Sequence, residues 1–369
     1  MNIPKNRIIE LFLQLVTINA ISRSEKAVAD FIRTFIKPLH LKVLEDGAGK
    51  AVDGDSGNII IKVPSTNHSQ PIALMAHMDT IKPTLGIRPR VNNGTISSDG
   101  NTILGADNRA GIAIILSLIE HLIKNNLPHR PFEAVFTIGE ETGLFGSTHL
   151  DLHIVESRTV YVLDSSADPG SYVYSAPEAL ELNIRFLGKA SHAAVQPDKG
   201  INALTMAAAL INDFPVGQAD PETTINFGKI CGGEANNVIP SRIDLSGEIR
   251  SFKTERIDYY KQRLEKKLTR IAEQSGGDFN LHTQLGFPGF ELDLDAQAIR
   301  QLNDSLRSIG LTPKALKYHG GSDANVLNNR GMVAIDLGIG AKNPHSTDEY
   351  IKVDDLHTMS AVMLHLLTK

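Results

Sequence analysis

The chain has 369 residues, with 37 Lys+Arg against 42 Asp+Glu and a formal net charge of −5. A hydrophobic share of 41% beside 21% charged residues excludes a disordered chain, and the length leaves room for two to three domains of roughly 150 residues. A mildly acidic balance without long Lys/Arg runs gives nucleic acid or a membrane surface no electrostatic hold, and the single cysteine, Cys231, cannot close an intramolecular disulfide. The longest apolar stretch, Ile112–Ile119, falls far short of the ~20 residues that span a bilayer, and no signal peptide is visible in MNIPKNRIIE. A cytoplasmic protein is expected.

The N-terminal stretch reads as two helices. The second is expected after Ser22-Arg23-Ser24-Glu25, a capping-box pattern in which Ser22 and Glu25 satisfy exposed backbone N–H groups. Val28, Phe31, Ile32, Phe35 and Leu39 then recur at helical spacing and mark its core face. Asp46–Asn58 is Gly/Asp-rich and reads as a loop, with Ile59–Val63 a strand.

Four apolar runs share one feature. Ile72–Met75 ends at Ala76-His77-Met78-Asp79, Phe132–Ile138 at Gly139-Glu140-Glu141, and Thr159–Leu163 at Asp164, while Met332–Leu337 leads into a loop holding His345. Each reads as a buried strand whose C-terminal end delivers a carboxylate, an imidazole or both. Ala110–Ile123, apolar on most sides, reads as a helix packed on a sheet. Alternating strands and helices predict an α/β fold with a mainly parallel sheet, and ligand sites at the strands' C-terminal ends.

From about Pro177 to Leu285 the rhythm changes. Ala179–Leu187 alternates, a helix follows near Asn202–Asp213, then strands at Thr224–Ile230 and Arg242–Arg250, a long amphipathic helix at Thr254–Gln274 and a strand near Asp278–Thr283. That is the ferredoxin-like order. The expected organisation is a catalytic domain in two segments, 1–176 and 286–369, with an inserted ferredoxin-like α+β lid and dimerisation domain at 177–285.

Among 13 histidines and 42 acids, only constellations carry weight. His77, Asp107, Glu141, Asp164 and His345 combine two imidazoles with three carboxylates, a set suited to first-row divalent metals, zinc above all. Five protein ligands exceed one open tetrahedral site, and two ions sharing a carboxylate account better for the number. Asp79, two residues from His77, is placed to accept a hydrogen bond from the non-ligating ring nitrogen. Glu140-Glu141 divides into one metal ligand and one free carboxylate for proton transfer. Singly, these residues have plainer readings: a core histidine, a solvated Glu pair, a helix N-cap at Asp107, a turn at Asp164. Together at successive strand ends they have no packing rationale.

Over essentially its whole length the sequence resembles the dinuclear-zinc exopeptidases and deacylases, the family of peptidase T, carboxypeptidase G and carnosinase, and within it the peptidase T-like tripeptide aminopeptidases. The resemblance is carried by Met75-Ala76-His77-Met78-Asp79-Thr80, Leu104-Gly105-Ala106-Asp107-Asn108-Arg109-Ala110-Gly111, Gly139-Glu140-Glu141-Thr142-Gly143 and Val162-Leu163-Asp164. It continues in Gly188-Lys189-Ala190-Ser191-His192-Ala193, Gly320-Gly321-Ser322-Asp323 and Pro344-His345. It implies that Asp107 bridges two metals, one also held by His77 and Asp164, the other by Glu141 and His345. It further implies that Glu140 is the general base and acid, that Asp79 orients His77, and that the Asp107–Asn108 peptide is cis. His192 would polarise the scissile carbonyl from the partner subunit, Arg250 would grip a substrate carboxylate, and Asn237 would hydrogen bond substrate. His319 stands where peptidase T has a pocket-shaping arginine, and Arg109 where many members have lysine, which bears on strict tripeptide specificity.

The expected activity is therefore metal-dependent cleavage of the amide bond near the end of a small peptide, with two divalent ions, zinc foremost, in a homodimer formed through the inserted domain. An N-acyl amino acid deacylase or carboxypeptidase uses the same metals. A catalytically silent metal-binding protein would not need the spare carboxylate at Glu140.

Overall fold

The computed structural model describes residues 3–65 and 69–369. The chain up to Ser175, together with Glu291–Lys369, forms one compact unit, and Ala176–Phe290 forms the other.

In the first unit, strands Ile59–Val63, Phe132–Thr137, Ile72–His77, Thr159–Ser165 and Val333–Gly338 lie side by side in that order. The last four run parallel, with Ile72 opposite both Phe132 and Thr159, and Val333 also opposite Thr159. All residues of Ile72–His77 and Phe132–Thr137 are buried, as in a parallel sheet covered on both faces. The register sets His77 opposite Thr137, so adjacent strands end level and their C-terminal loops open on one side. The expected α/β class with a mainly parallel sheet is borne out.

Helix Ala106–Lys124 covers the sheet with Ile112, Ile115, Leu116 and Ile119, all fully buried. Gly111 permits that approach: a Cβ there would lie 2.5 Å from the Leu163 carbonyl oxygen and 2.9 Å from the Ala76 side chain. Helix Lys5–Val16 inserts Ile8, Leu11, Phe12 and Leu15 into the same core. Burying side chains of this size stabilises by roughly 1.5–3 kcal/mol each, which is what anchors the sheet beneath its polar loops.

Two local expectations are corrected. Helix Lys26–Ile36 starts after Glu25, but neither Ser22 nor Glu25 caps it. Glu25 Oε1 instead accepts the Arg23 N–H at 2.8 Å and the Gly139 N–H at 2.9 Å, and Ser22 Oγ donates to Asp79 Oδ2 at 2.5 Å. A polar group left unpaired at a buried strand end costs more than one at a solvated helix terminus, so the interior claims both side chains. Within Asp46–Asn58, residues Ala48–Ala51 form a short helix.

The second unit orders its strands Gly217–Asp220, Thr223–Gly232, Arg242–Ser251, Glu178–Leu187 and Asp278–Phe287. All neighbours are antiparallel, the ferredoxin-like arrangement with one short strand added at an edge. The last strand runs beyond the expected Thr283 to Phe287. Helices Ala203–Asp213 and Thr254–Ser275 bury Met206, Leu210, Leu264 and Leu268 against Leu182, Ile184 and Phe186. Asn202 starts the first of these helices, its side chain accepting the Leu204 and Thr205 N–H groups at 2.9 and 3.2 Å.

Candidate metal centre and active site

His77 closes its strand with the imidazole buried. Its Nε2 lies 2.9 Å from Asp107 Oδ1 and 3.3 Å from Asp164 Oδ1. Nδ1 lies 3.0 Å from the Asp79 carbonyl oxygen and 3.3 Å from Asp79 Oδ1. Asp79 thus faces the ring through its main chain first and its carboxylate second. A proton held on Nδ1 leaves the Nε2 lone pair for a cation between Asp107 and Asp164. Burial works against the charged imidazole, but the Asp164 charge and the hydrogen bonds to Asp107, Asp164 and Asp79 hold its pKa well above the usual value.

The Asp79 carboxylate does more than face His77. Oδ1 accepts the Glu140 N–H at 3.1 Å, and Oδ2 accepts the Glu141 N–H at 3.2 Å and the Ser22 hydroxyl. It therefore shapes the turn that presents Glu140 and Glu141. Burial would raise its pKa, yet the hydrogen bond and charge of His77 keep it below the ordinary carboxylate value.

Asp107 lies in the first turn of helix Ala106–Lys124, where Asp107 and Asn108 depart from helical dihedrals and the peptide between them is cis. The cis peptide is the one that the resemblance implies. Asn108 Nδ2 donates to Asp164 Oδ1 at 2.9 Å while its Oδ1 accepts the Gly111 N–H at 3.1 Å, tying two loops together. The far oxygen of Asp107, Oδ2, lies 3.4 Å from His345 Nε2, and that nitrogen is 2.9 Å from Glu141 Oε2. His345 sits at φ 67°, half exposed, and its hydrogen bonds to Asp107 and Glu141 raise its pKa to about 10. Ligand atoms of His77, Asp107 and Glu141 all lie within 4.8 Å of one another.

The electrostatics fit divalent cations. Burial pushes Asp164 up to about 7, with the Asp107 and Asp323 charges adding to it and His77 opposing. Glu141 and Glu140 are raised as well, Glu140 far above the usual range, again chiefly by burial. Carboxylates outnumber the imidazoles that face them, and two ions with these donors would relieve the excess. Among the described residues none hydrogen-bonds the Glu140 carboxylate, which feels the charges of His77, Asp164, Asp323 and Glu141.

Other buried charged groups surround these donors, and of Asp323, Asp336 and Arg109 only Asp336 has no signal in the sequence. Asp323 is buried with Oδ2 accepting from Thr137 Oγ1 at 2.6 Å, and Asp336 is buried with Oδ1 accepting the Ser165 N–H at 2.9 Å. Asp323 stood in a motif, Gly320-Gly321-Ser322-Asp323, but Asp336 lies inside an apolar strand without local signal. Arg109 is fully buried: Nη1 donates to the Met78 carbonyl and Nη2 to the Ile18 carbonyl at 3.3 Å. Burial pulls its pKa down to about 10, while Asp79, Glu25 and Glu349 hold the charge in place.

In the second unit, His192 and Asn237 are exposed and Arg250 is half-buried. His192 and Asn237 occupy adjoining loops, with the Ala193 N–H donating to the Asn237 carbonyl at 2.9 Å and His192 bridged to Val238. His192 Nδ1 accepts the Ala194 and Val195 N–H groups at 3.3 Å each, which assigns the ring proton to the exposed Nε2. Arg250 stacks over Phe287 at 5.3 Å and pairs with Glu248, Nε to Oε1 at 2.9 Å and Nη2 to Oε2 at 3.0 Å. His319 is exposed between strand Lys314–Lys317 and helix Asp323–Asn329 of the first unit.

The chain is similar to known proteins over its full length. Residues 175–276 match the peptidase dimerisation domain of the M20 family, and residues 58–205 match peptidase family M28. The uncharacterized protein YqjE of Bacillus subtilis is 31% identical over 354 residues, covering 96% of this chain and 95% of that protein. The crystal structure of a tripeptidase from Staphylococcus aureus superposes with a TM-score of 0.95 at 31% identity, covering 100% of this chain and 99% of the other. That of aminopeptidase PepT from Bacillus cereus gives 0.90 at 32% identity, covering 99% and 98%. The chain belongs to the peptidase T-like M20 peptidases. As an M20 metallopeptidase it combines a mainly parallel catalytic sheet with an antiparallel dimerisation domain, and its donor cluster is that of a divalent-metal centre. Among the described residues, no helix is long and apolar enough to cross a membrane.

Proposed function

We propose that this M20 peptidase is a cytoplasmic, homodimeric aminopeptidase that uses two zinc ions to remove the first residue from short peptides, tripeptides foremost. The observation that carries the reading is the meeting of His77, Asp107, Glu141, Asp164 and His345 in one chain of contacts through Asp107, with the Glu140 carboxylate in the field of His77, Asp164 and Glu141. The tripeptidase and aminopeptidase relatives support the substrate class. Exposed Leu204, Ile211, Val216 and Ile230, all within the matched dimerisation domain, support a homodimer through that unit.

In this reading His77, Asp107 and Asp164 would hold one ion, and Asp107, Glu141 and His345 would hold the other. Divalent ions held there would supply Lewis acidity for activating a water and polarising the scissile carbonyl. Glu140, raised in pKa by burial, takes the proton from the attacking water and returns it to the departing nitrogen. Asp79 holds Glu140 and Glu141 by their N–H groups and His77 by its ring, so base and ligands move as one piece. His192 of the partner subunit, with its proton on Nε2, donates to the developing oxyanion. Arg250, Asn237 and His319 are assigned to substrate binding; Arg250 pairs with Glu248 through Nε and Nη2, so a substrate carboxylate competes with or adds to that partner.

The test is amino-acid release, followed by chromatography, from a free tripeptide, its N-acetylated form and an N-acetyl amino acid, with zinc restored or with chelator. Chelator-sensitive loss of the first residue from the free tripeptide alone is expected. Release from the blocked compounds instead would move the function to deacylation.

A further inference from the structure

Glu349 has no role in the reading above, yet its carboxylate is almost wholly buried, 1% exposed. Oε2 accepts the Gly105 N–H at 2.7 Å, and Oε1 accepts the N–H of Asp107 itself at 3.0 Å. These are N–H groups of a helix start, which lack intrahelical partners and favour a negative charge. The carboxylate thus grips the backbone on both sides of Ala106, fixing the turn that presents the Asp107 side chain.

The other end of the grip lies in the loop that carries His345. That loop is closed at its base by paired Lys342 and Tyr350, with N–H to O distances of 2.8 and 3.0 Å. Inside it, Ser346 Oγ donates to the Asn343 carbonyl at 2.9 Å, the Asp348 N–H donates to Ser346 Oγ at 3.2 Å, and the Glu349 N–H donates to the Ser346 carbonyl at 3.2 Å. Strand Tyr350–Lys352 then pairs with Thr95–Ser97. Glu349 therefore joins a compact loop bearing His345 to the turn bearing Asp107.

The two proposed ion positions differ in what holds their ligands. His77 and Asp164 stand at the ends of strands fixed by sheet pairing, Ile72–His77 against Phe132–Thr137 and Thr159–Ser165 against Val333–Gly338. His345 stands on a loop, half exposed and at positive φ, and its distance from Asp107 depends on what ties that loop down. Lys82 Nζ, which donates to the His345 carbonyl at 3.0 Å, is an exposed contact, whereas the Glu349 contact with Gly105 is buried and that with Asp107 part-buried.

We propose that Glu349 is a positioning residue that locks the His345 loop to the Asp107 turn, and so controls occupancy of the ion position of Asp107, Glu141 and His345 far more than that of His77, Asp107 and Asp164, whose other two ligands stand on paired strands. The inference rests on the ligand assignment given under the proposed function. It concerns metal loading, not the chemical step.

The experiment titrates the metal-free full chain with Zn²⁺ by calorimetry and counts bound metal after equilibrium dialysis by mass spectrometry. Wild type, Glu349→Gln, Glu349→Asp and His345→Ala are compared, and a circular dichroism melt of each metal-free variant checks that it is folded. Wild type is expected to bind two ions, and His345→Ala one tightly. Glu349→Gln keeps the shape but loses the charge, and is expected to retain one tight ion and bind the second about 10–100-fold more weakly. Glu349→Asp keeps the charge, loses the reach to the two N–H groups, and is expected to lose the same ion. Two wild-type ions in both Glu349 variants, beside one in His345→Ala, overturn the inference alone. Equal weakening of both ions also overturns it, since that is the mark of general loosening. Two tight ions in His345→Ala overturn the ligand assignment and the inference together.

Discussion

In the first unit, buried acids gather with few cations to meet them: Glu25, Asp164 and Glu349 are pushed up to about 7 by burial, and Glu140, Glu141, Asp323 and Asp336 are raised with them. In the second unit, Asp213, Asp220 and Asp244 are held below their usual values. Lys267 lowers Asp213 and Arg242 lowers Asp244, each by a hydrogen bond, and at Asp220 burial is outweighed only by the hydrogen bonds of Arg256, the Glu222 N–H, Thr223 and Tyr260 together. Both units have apolar cores of ordinary kind. The difference lies in what stands over them. One unit gives up stability to collect like charges at a place where cations are needed, and the other neutralises its charges at the surface and remains a scaffold. That contrast separates a site from a solvated face more sharply than the number of acids does.

The contrast can be broken or sharpened by experiment, the largest effect coming from Glu140. Glu140→Gln is expected to lower kcat by about 10²–10⁴-fold while bound metal, counted by mass spectrometry, stays at the wild-type value. A variant that turns over normally would remove Glu140 from the mechanism. Next comes Arg109, the buried cation among Asp79, Glu25 and Glu349. Arg109→Leu leaves those carboxylates uncompensated and is expected to cost roughly 3–5 kcal/mol in urea unfolding. Unchanged stability would mean that the guanidinium is not what balances them.

The pH dependence of the metal-free protein is a third test, and its sign follows from the direction of the shifts. Asp164, Glu25 and Glu349 have folded pKa values near 7, above the value of about 4 for unfolded acids. The folded state keeps protons that the unfolded chain releases, so stability from these groups is full at acid pH and is lost as pH rises through 7. His345, raised to about 10, acts in the same direction: its contribution is full below about 6.5 and is lost as pH rises through 10. The Tm of the chelated protein is therefore expected to fall from pH 5 to pH 8, and a Tm that climbs over that window would contradict the assignment. The smallest effect belongs to the second unit. Asp244→Asn removes surface pairs with Arg185 and Arg242 at 2.7 and 2.5 Å, and is expected to change stability by no more than about 1 kcal/mol and metal binding not at all.

Much of this was legible in the chain alone. Apolar runs such as Ile72–Met75 and Thr159–Leu163 announce buried strands because a strand covered on both faces needs no polar alternation, and the alternating Ala179–Leu187 announces a half-exposed one. His77, Glu140-Glu141, Asp164 and His345 stand out because they interrupt or follow such runs, where packing gives a charged or imidazole side chain no reason to be. Tertiary structure alone decided where the remaining polar groups went. Ser22-Arg23-Ser24-Glu25 carries a capping box that local energetics favour, yet Ser22 and Glu25 bond to Asp79 and Gly139, residues 57 and 114 positions away. Glu349 follows Asp348 like any surface acid and ends buried on the N–H of Asp107, 242 positions distant. Local pattern governs which segments are apolar enough to be buried. Which buried donor a carboxylate meets is set by segments far apart in the chain, because an unpaired group in the interior costs more than a solvated helix end does.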